Sequence, residues 1–177
     1  LPSTPYDAKG LLKTAVRDNN PVIFFEHSAL ADVVGEVPEE EYTTPFGQAV
    51  VRKEGTDVTL IAYGAMLWVA KKAVAQIGYK YHVEIIDLRT ISPLDTETIL
   101  KSVNKTGRCV IIHEAPKSFG VAAEITAQIN EKALMDLEAP VERVTGFDTV
   151  MPYFKNELNY LPSEEKIIQA IEKVMEG

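Results

Sequence analysis

Between Arg108 and Pro152 the chain passes from an apolar stretch through a polar turn, a small-residue helix and a second strand. Cys109–Ile112 is apolar at every position, so it reads as a short strand buried on both faces rather than one stripe of a surface helix. It ends at His113-Glu114, and Val121–Leu134 follow as a helix. Val141–Thr145 then read as a strand. Strand, helix, strand in that order is the crossover unit of a parallel sheet. A parallel sheet needs helices on both faces, which fixes the expected fold class as α/β.

The same alternation extends upstream. Ala49–Val51 is a short strand, Lys53-Glu54-Gly55-Thr56 a turn, and Val58–Gly64 a buried strand. Met66–Ile77 is helical, with Val69, Ala73 and Ile77 on one face, and Val83–Leu88 is another buried strand. Ser92-Pro93 is expected to open a helix with Ile99 and Val103 inward and Gly107 just past its end. The last helix starts at Ser163, a good N-cap. Glu164 and Glu165 favour its positive end, and Ile167, Ile168, Ile171, Val174 and Met175 form its inward stripe.

In front of this unit, Ser3 or Thr4 followed by Pro5 starts a helix that runs to about Asp18. Pro21–His27, nearly all apolar, reads as a buried strand. One helix and one strand cannot make a core, so the pair reads as the tail of a larger domain. Glu36, Pro38, Glu39, Glu40, Glu41, Thr43, Thr44 and Pro45 have the chemistry of a solvated linker.

A net charge of −8 argues against non-specific nucleic-acid binding, which needs a cationic face, and is compatible with a basic partner surface. No apolar run approaches the roughly 18–20 residues of a membrane span, so no membrane partner is expected. No basic start followed by an apolar stretch suggests a signal peptide. The first residue is Leu1 rather than Met, so the expectation is a fragment or a processed product. The single cysteine, Cys109, excludes an intrachain disulfide, reads as a buried small hydrophobe and leans towards a cytoplasmic setting.

Taken residue by residue, the chain carries little chemistry. It has no GxGxxG or GxxxxGK[ST] loop, no GxSxG elbow, and no metal-ligand spacing among His27, His82 and His113. His113-Glu114 is the local candidate, because ligands gather at the carboxyl ends of strands in open parallel sheets. His113 either moves a proton near neutral pH or hydrogen-bonds locally to order the turn. Arg89 either holds an anionic group or forms a salt bridge to Asp87 or Asp95. Gly120 with Val121, Ala122 and Ala123 permits close packing, or anion binding at exposed N–H groups.

Several long motifs in order carry a resemblance: DAKGLL, DNNPVIFFE, GTDVTLIAYG, EIIDLRTISPLD, HEAPKSFG with AAEI, and LEAPVERVTGFDT with MP. Together they resemble the beta subunit of the thiamine-diphosphate-dependent 2-oxo acid dehydrogenases over nearly the whole chain. The HEAP and LEAP wording favours the branched-chain type, with its place in branched-chain amino acid degradation, over a pyruvate or acetoin dehydrogenase. By this resemblance residues 1–35 are the end of a pyrimidine-binding domain, 36–45 a linker, and 46–177 a transketolase-type C-terminal domain.

The resemblance implies a two-plus-two heterotetramer with an alpha subunit and a second beta subunit. Thiamine diphosphate lies between the subunits, and the alpha subunit holds the diphosphate and Mg. The beta subunit grips the aminopyrimidine through a glutamate upstream of the region present here. No catalytic residue is therefore assigned, His113 standing as the candidate, and the chain alone is expected to be inactive. The intact enzyme would decarboxylate a 2-oxo acid and acylate lipoyl groups, in the cytoplasm or, in a eukaryote, the mitochondrial matrix. Two family sites are implied in this stretch. One is a monovalent cation (K) site at Ala15, Asp18 and Asn20. The other, at Glu138 and Gly177, docks the subunit-binding domain of the dihydrolipoyl acyltransferase. A reading from a different class is an interaction module without chemistry.

Overall fold

The computed structural model describes residues 1–177, the side chain of Phe154 excepted. Five strands form one sheet in the order β1-β3-β2-β4-β5: β1 Val50–Lys53, β2 Val58–Ala62, β3 Val83–Asp87, β4 Cys109–Pro116 and β5 Glu142–Gly146. β2 through β5 are parallel, and β1 closes one edge antiparallel to β3, with a register shift between Val51 and Lys53. The helices are α1 Pro5–Arg17, α2 Met66–Ile77, α3 Thr96–Thr106, α4 Val121–Ala133, the single turn α5 Glu157–Tyr160, and α6 Glu164–Glu176.

Successive side chains of a strand point to opposite faces, and the two faces have separate cores. Val58, Leu60, Ile85, Val110 and Ile112 meet α2 and α6 on one side. Ile61, Ile86, Cys109 and Ile111 meet α3 and α4 on the other. This is the expected α/β arrangement with helices on both faces. Cys109 is buried, and burial pushes its thiol pKa far up.

The helix ends follow local chemistry. Thr4 Oγ1 accepts from the Asp7 N–H at 3.2 Å, and Ser163 Oγ accepts from the Lys166 N–H at 3.3 Å. Gly107 ends α3 with φ 67°, a left-handed conformation that costs glycine nothing. α3 starts at Thr96, not at Ser92-Pro93. Asp95 is the stronger anchor: its carboxylate accepts from the Thr98 N–H at 3.0 Å and from the Ala49 N–H at 2.8 Å.

Residues 21–27 differ from expectation, because no strand forms there, and Ile23 and Phe25 are 79% and 59% exposed. A strand needs a neighbour to pair with. After α1 the chain instead crosses the loop that follows β3 and the carboxyl end of β4. The acidic stretch from Glu36 to Glu41 is exposed coil, as its composition implied. Glu41 pairs with Arg17, and with Lys13 at 2.7 Å, and these cations draw its carboxyl down to about 2. Among the described residues no helix is long and apolar enough to cross a membrane.

Candidate functional site

In this sheet β2 connects outward to β3, and β4 connects the opposite way to β5. The point where connections diverge opens a crevice at the strands' carboxyl ends, the usual ligand position in such sheets. Here that crevice lies between Tyr63, just past β2, and His113, within β4. Their rings stack at 6.5 Å with an interplanar angle of 21°. His113 is fully buried, and neither ring nitrogen has a hydrogen-bond partner. Burial pushes its pKa below the usual histidine value. Tyr63 is pushed up to about 12, first by burial and then by the Glu114 carboxylate.

The neighbouring β2–β3 side of the sheet end is filled by the chain's own N-terminal segment. Ser3 Oγ donates to Asp87 Oδ1 at 2.7 Å and accepts from the Gly64 N–H at 2.8 Å. Trp68 Nε1 donates to the Ser3 carbonyl at 2.8 Å. Asp7, with no exposed side-chain surface, pairs with Arg52, and with Arg89 at 3.2 Å. Arg52 also pairs with Asp87 at 2.8 Å. Arg89, at φ 59°, donates from Nε to the Gln48 carbonyl at 2.8 Å. Its carboxylate partner is thus Asp7, 82 residues upstream, and not the expected Asp87 or Asp95. Glu114 faces His27, whose Nε2 lies 2.9 Å from Oε2. The expected His113–Glu114 unit is therefore divided: His113 turns into the core and Glu114 turns out to residue 27.

Gly120 belongs to the same corner. A Cβ there would lie 2.6 Å from His113 Cε1 and 2.6 Å from the Pro116 carbonyl oxygen. Close packing, rather than an open N–H cradle, accounts for the glycine. Among the described residues no group of His, Cys, Asp or Glu is arranged to hold a metal, and nothing at the crevice supplies a diphosphate cradle. The residues present do not fit thiamine diphosphate with its Mg.

The other expected sites lie apart from the crevice. Ala15, Asp18 and Asn20 meet at the end of α1. The Asp18 N–H donates to the Ala15 carbonyl at 3.3 Å, and Asp18 Oδ1 accepts from the Asn20 N–H and amide at 2.8 and 2.9 Å. The two Asn20 bonds lower the Asp18 pKa and occupy Oδ1, leaving Oδ2 without a hydrogen-bond partner among the described residues. Glu138 and Gly177 are brought together. A Cβ built on Gly177 would sit 3.8 Å from the Ala139 Cβ. Arg108 joins the two elements: it pairs with Glu138 at 2.6 Å and donates from Nε to the Val174 carbonyl at 3.0 Å. Glu138 remains 60% exposed.

Sequence reasoning overlooked Ser3, Asp7, Arg52 and Arg108. Thr4 and Asp7 stand at capping-box spacing, which accounts for Asp7 locally and hides its long-range partners. Arg108 directly before a buried strand was the available signal for its role.

Residues 47–167 match the family model described as "Transketolase, C-terminal domain". The chain is 49% identical over 178 aligned residues to the pyruvate dehydrogenase E1 component subunit beta of Bacillus subtilis (strain 168), covering 99% of this chain and 55% of the relative. The subunit of the same name from Staphylococcus aureus (strain N315) is 46% identical over the same coverage. The chain thus spans about half the length of the curated relatives it matches. A solved structure titled "Split gene transketolase, inactive beta4 tetramer" superposes with a TM-score of 0.77 at 21% identity, over 99% of this chain and 56% of that one, a likeness of fold.

Proposed function

The chain belongs to the transketolase C-terminal domain family, and from that premise we propose that it works as part of the beta subunit of a thiamine-diphosphate-dependent 2-oxo acid dehydrogenase acting on pyruvate. The observation that carries the reading is the 49% identity across 99% of the chain to a pyruvate dehydrogenase E1 beta subunit. The expected branched-chain preference has no support from these relatives, whose names give pyruvate. Within the enzyme this portion contributes assembly and docking rather than chemistry. In support, its own N-terminal segment fills the β2–β3 side of the sheet end, and His113 is buried. Thiamine diphosphate supplies the decarboxylation chemistry from elsewhere in the whole enzyme. The docking face is Glu138 with the Gly177 end of α6, to which Arg108 joins it through the Val174 carbonyl. The Ala15–Asn20 turn provides part of a monovalent-cation shell, to be completed by groups outside the chain.

The test replaces the matching portion of the Bacillus subtilis subunit with this chain and pairs the chimera with the alpha subunit. Decarboxylation of pyruvate is compared with that of a branched-chain 2-oxo acid. Turnover favouring pyruvate is expected; turnover favouring the branched acid overturns the substrate assignment. A folded heterotetramer without turnover overturns the enzyme reading. The chain alone, with thiamine diphosphate and Mg, is expected to show no turnover above the cofactor blank.

A further inference from the structure

β5 is the last strand of the sheet, and its outer edge has no strand beside it. Beyond that edge a groove of about 470 Å³ runs between β5 and α6. Its charge runs against that of the whole chain. Lys117, Arg143, Lys166 and Lys173 line it, with Glu142 and Asp148 as its carboxylates, in a protein of net charge −8.

Both carboxylates are already engaged. Glu142 pairs with Lys173 at 2.5 Å, and Asp148 accepts from the Ser118 N–H and hydroxyl at 2.9 and 2.7 Å. The other three cations have no ion pair among the described residues. Arg143 donates to the Lys117 carbonyl at 3.2 Å, and Lys166 donates to the carbonyls of Asn159 and Leu161 at 3.1 and 3.0 Å. Open strand edges are usually protected or paired. This one is flanked by cations that lack a carboxylate.

We propose that the β5 edge is a docking site for an extended acidic segment of a partner protein, which adds to the sheet as a sixth strand beside β5. Backbone hydrogen bonds to β5 would hold it, and carboxylates on alternate residues, which share one face, would meet Lys117 and Arg143. Two copies of this chain paired edge to edge would set the same cationic walls against each other, so a second copy is not the occupant. This surface is distinct in sign from the acidic Glu138–Gly177 face and does not depend on the pyruvate reading.

The experiment uses the full chain and a blocked peptide of about nine residues alternating Glu and Val. Its controls are the Lys–Val counterpart and a Glu–Val peptide N-methylated along one edge. Binding is followed by fluorescence anisotropy at low and high salt and by amide exchange of Arg143–Gly146. The acidic peptide should bind, weaken with salt, and slow exchange in β5. Lys117→Glu, on an exposed loop, should weaken binding about tenfold, and Lys166→Gln should weaken it less. Failure of the acidic peptide to bind, equal binding by either control, or unchanged β5 exchange overturns the proposal. So does a concentration-dependent dimer whose formation itself protects β5.

Discussion

Ser3 Oγ donates to Asp87 Oδ1 at 2.7 Å across 84 residues of sequence, and so fastens the N-terminal segment to the carboxyl end of β3. The same hydroxyl accepts from Gly64 at the end of β2. Behind it Asp7 stands between Arg52 and Arg89, and Leu11 is buried. Residues 3–11 are therefore held by the C-terminal unit, while residues 21–25 remain largely exposed.

Replacing Asp7 with Asn is expected to destabilise the chain by about 3 kcal/mol. Removing one member of a buried ion-paired network leaves its partners desolvated and uncompensated. Urea unfolding of wild type and variant measures it. A change within error would mean that Arg52 and Arg89 are fully served by Asp87 and the Gln48 carbonyl.

Gly120→Ala is expected to cost about 1–3 kcal/mol, the range for forcing an extra methyl into a packed interior. The added Cβ overlaps both the His113 ring and the Pro116 carbonyl. In a double-mutant cycle His113→Ala should relieve part of that cost, leaving the Pro116 clash. Strictly additive effects would count against the ring contact.

Acid should weaken the fold through His113. Its folded pKa is depressed by burial below the unfolded value of about 6.5. The unfolded state then binds more protons in this window, so the contribution to stability is complete above about pH 6.5 and is lost as pH falls through the folded value. His113→Phe keeps a ring in place and removes the titration, so its stability should fall less between neutral pH and the folded value. His27→Gln, at the half-buried Glu114 contact, is the control. Identical pH profiles for wild type and His113→Phe would overturn the assignment.

What the sequence made legible was the part fixed by short-range pattern. β2, β3 and β4 are short, mostly apolar runs, and α2 shows its period and length plainly, so both cores follow from residues 58–112 and 121–174. Pro21–His27 misled for a physical reason. An apolar run states that a segment needs burial but not that a neighbouring strand exists, and here none lies alongside. The site chemistry was less legible still. Asp7–Arg89 and Ser3–Asp87 are contacts between groups more than 80 residues apart, and each of these residues has an adequate local explanation. His113 was visible as a strand-end histidine, but its inward rotamer is set by the missing side chain at Gly120, a contact no spacing rule encodes.

The docking face yields the last prediction. Arg108 holds Glu138 at 2.6 Å and the Val174 carbonyl at 3.0 Å, which keeps the Gly177 end of α6 beside Ala139. A basic partner surface would meet the Glu138 carboxylate, which is exposed enough to re-pair. Glu138→Ala should weaken binding of the acyltransferase subunit-binding domain by about tenfold, roughly 1.4 kcal/mol. The difference should shrink at high salt if the pair stays solvated, and persist if docking buries it. Arg108→Gln separates positioning from charge. It makes the face more acidic, so pure attraction predicts tighter binding, whereas loss of the held geometry predicts weaker binding, which is the outcome expected here. Equal affinity of wild type and Glu138→Ala, both folded, would remove this face from the docking surface.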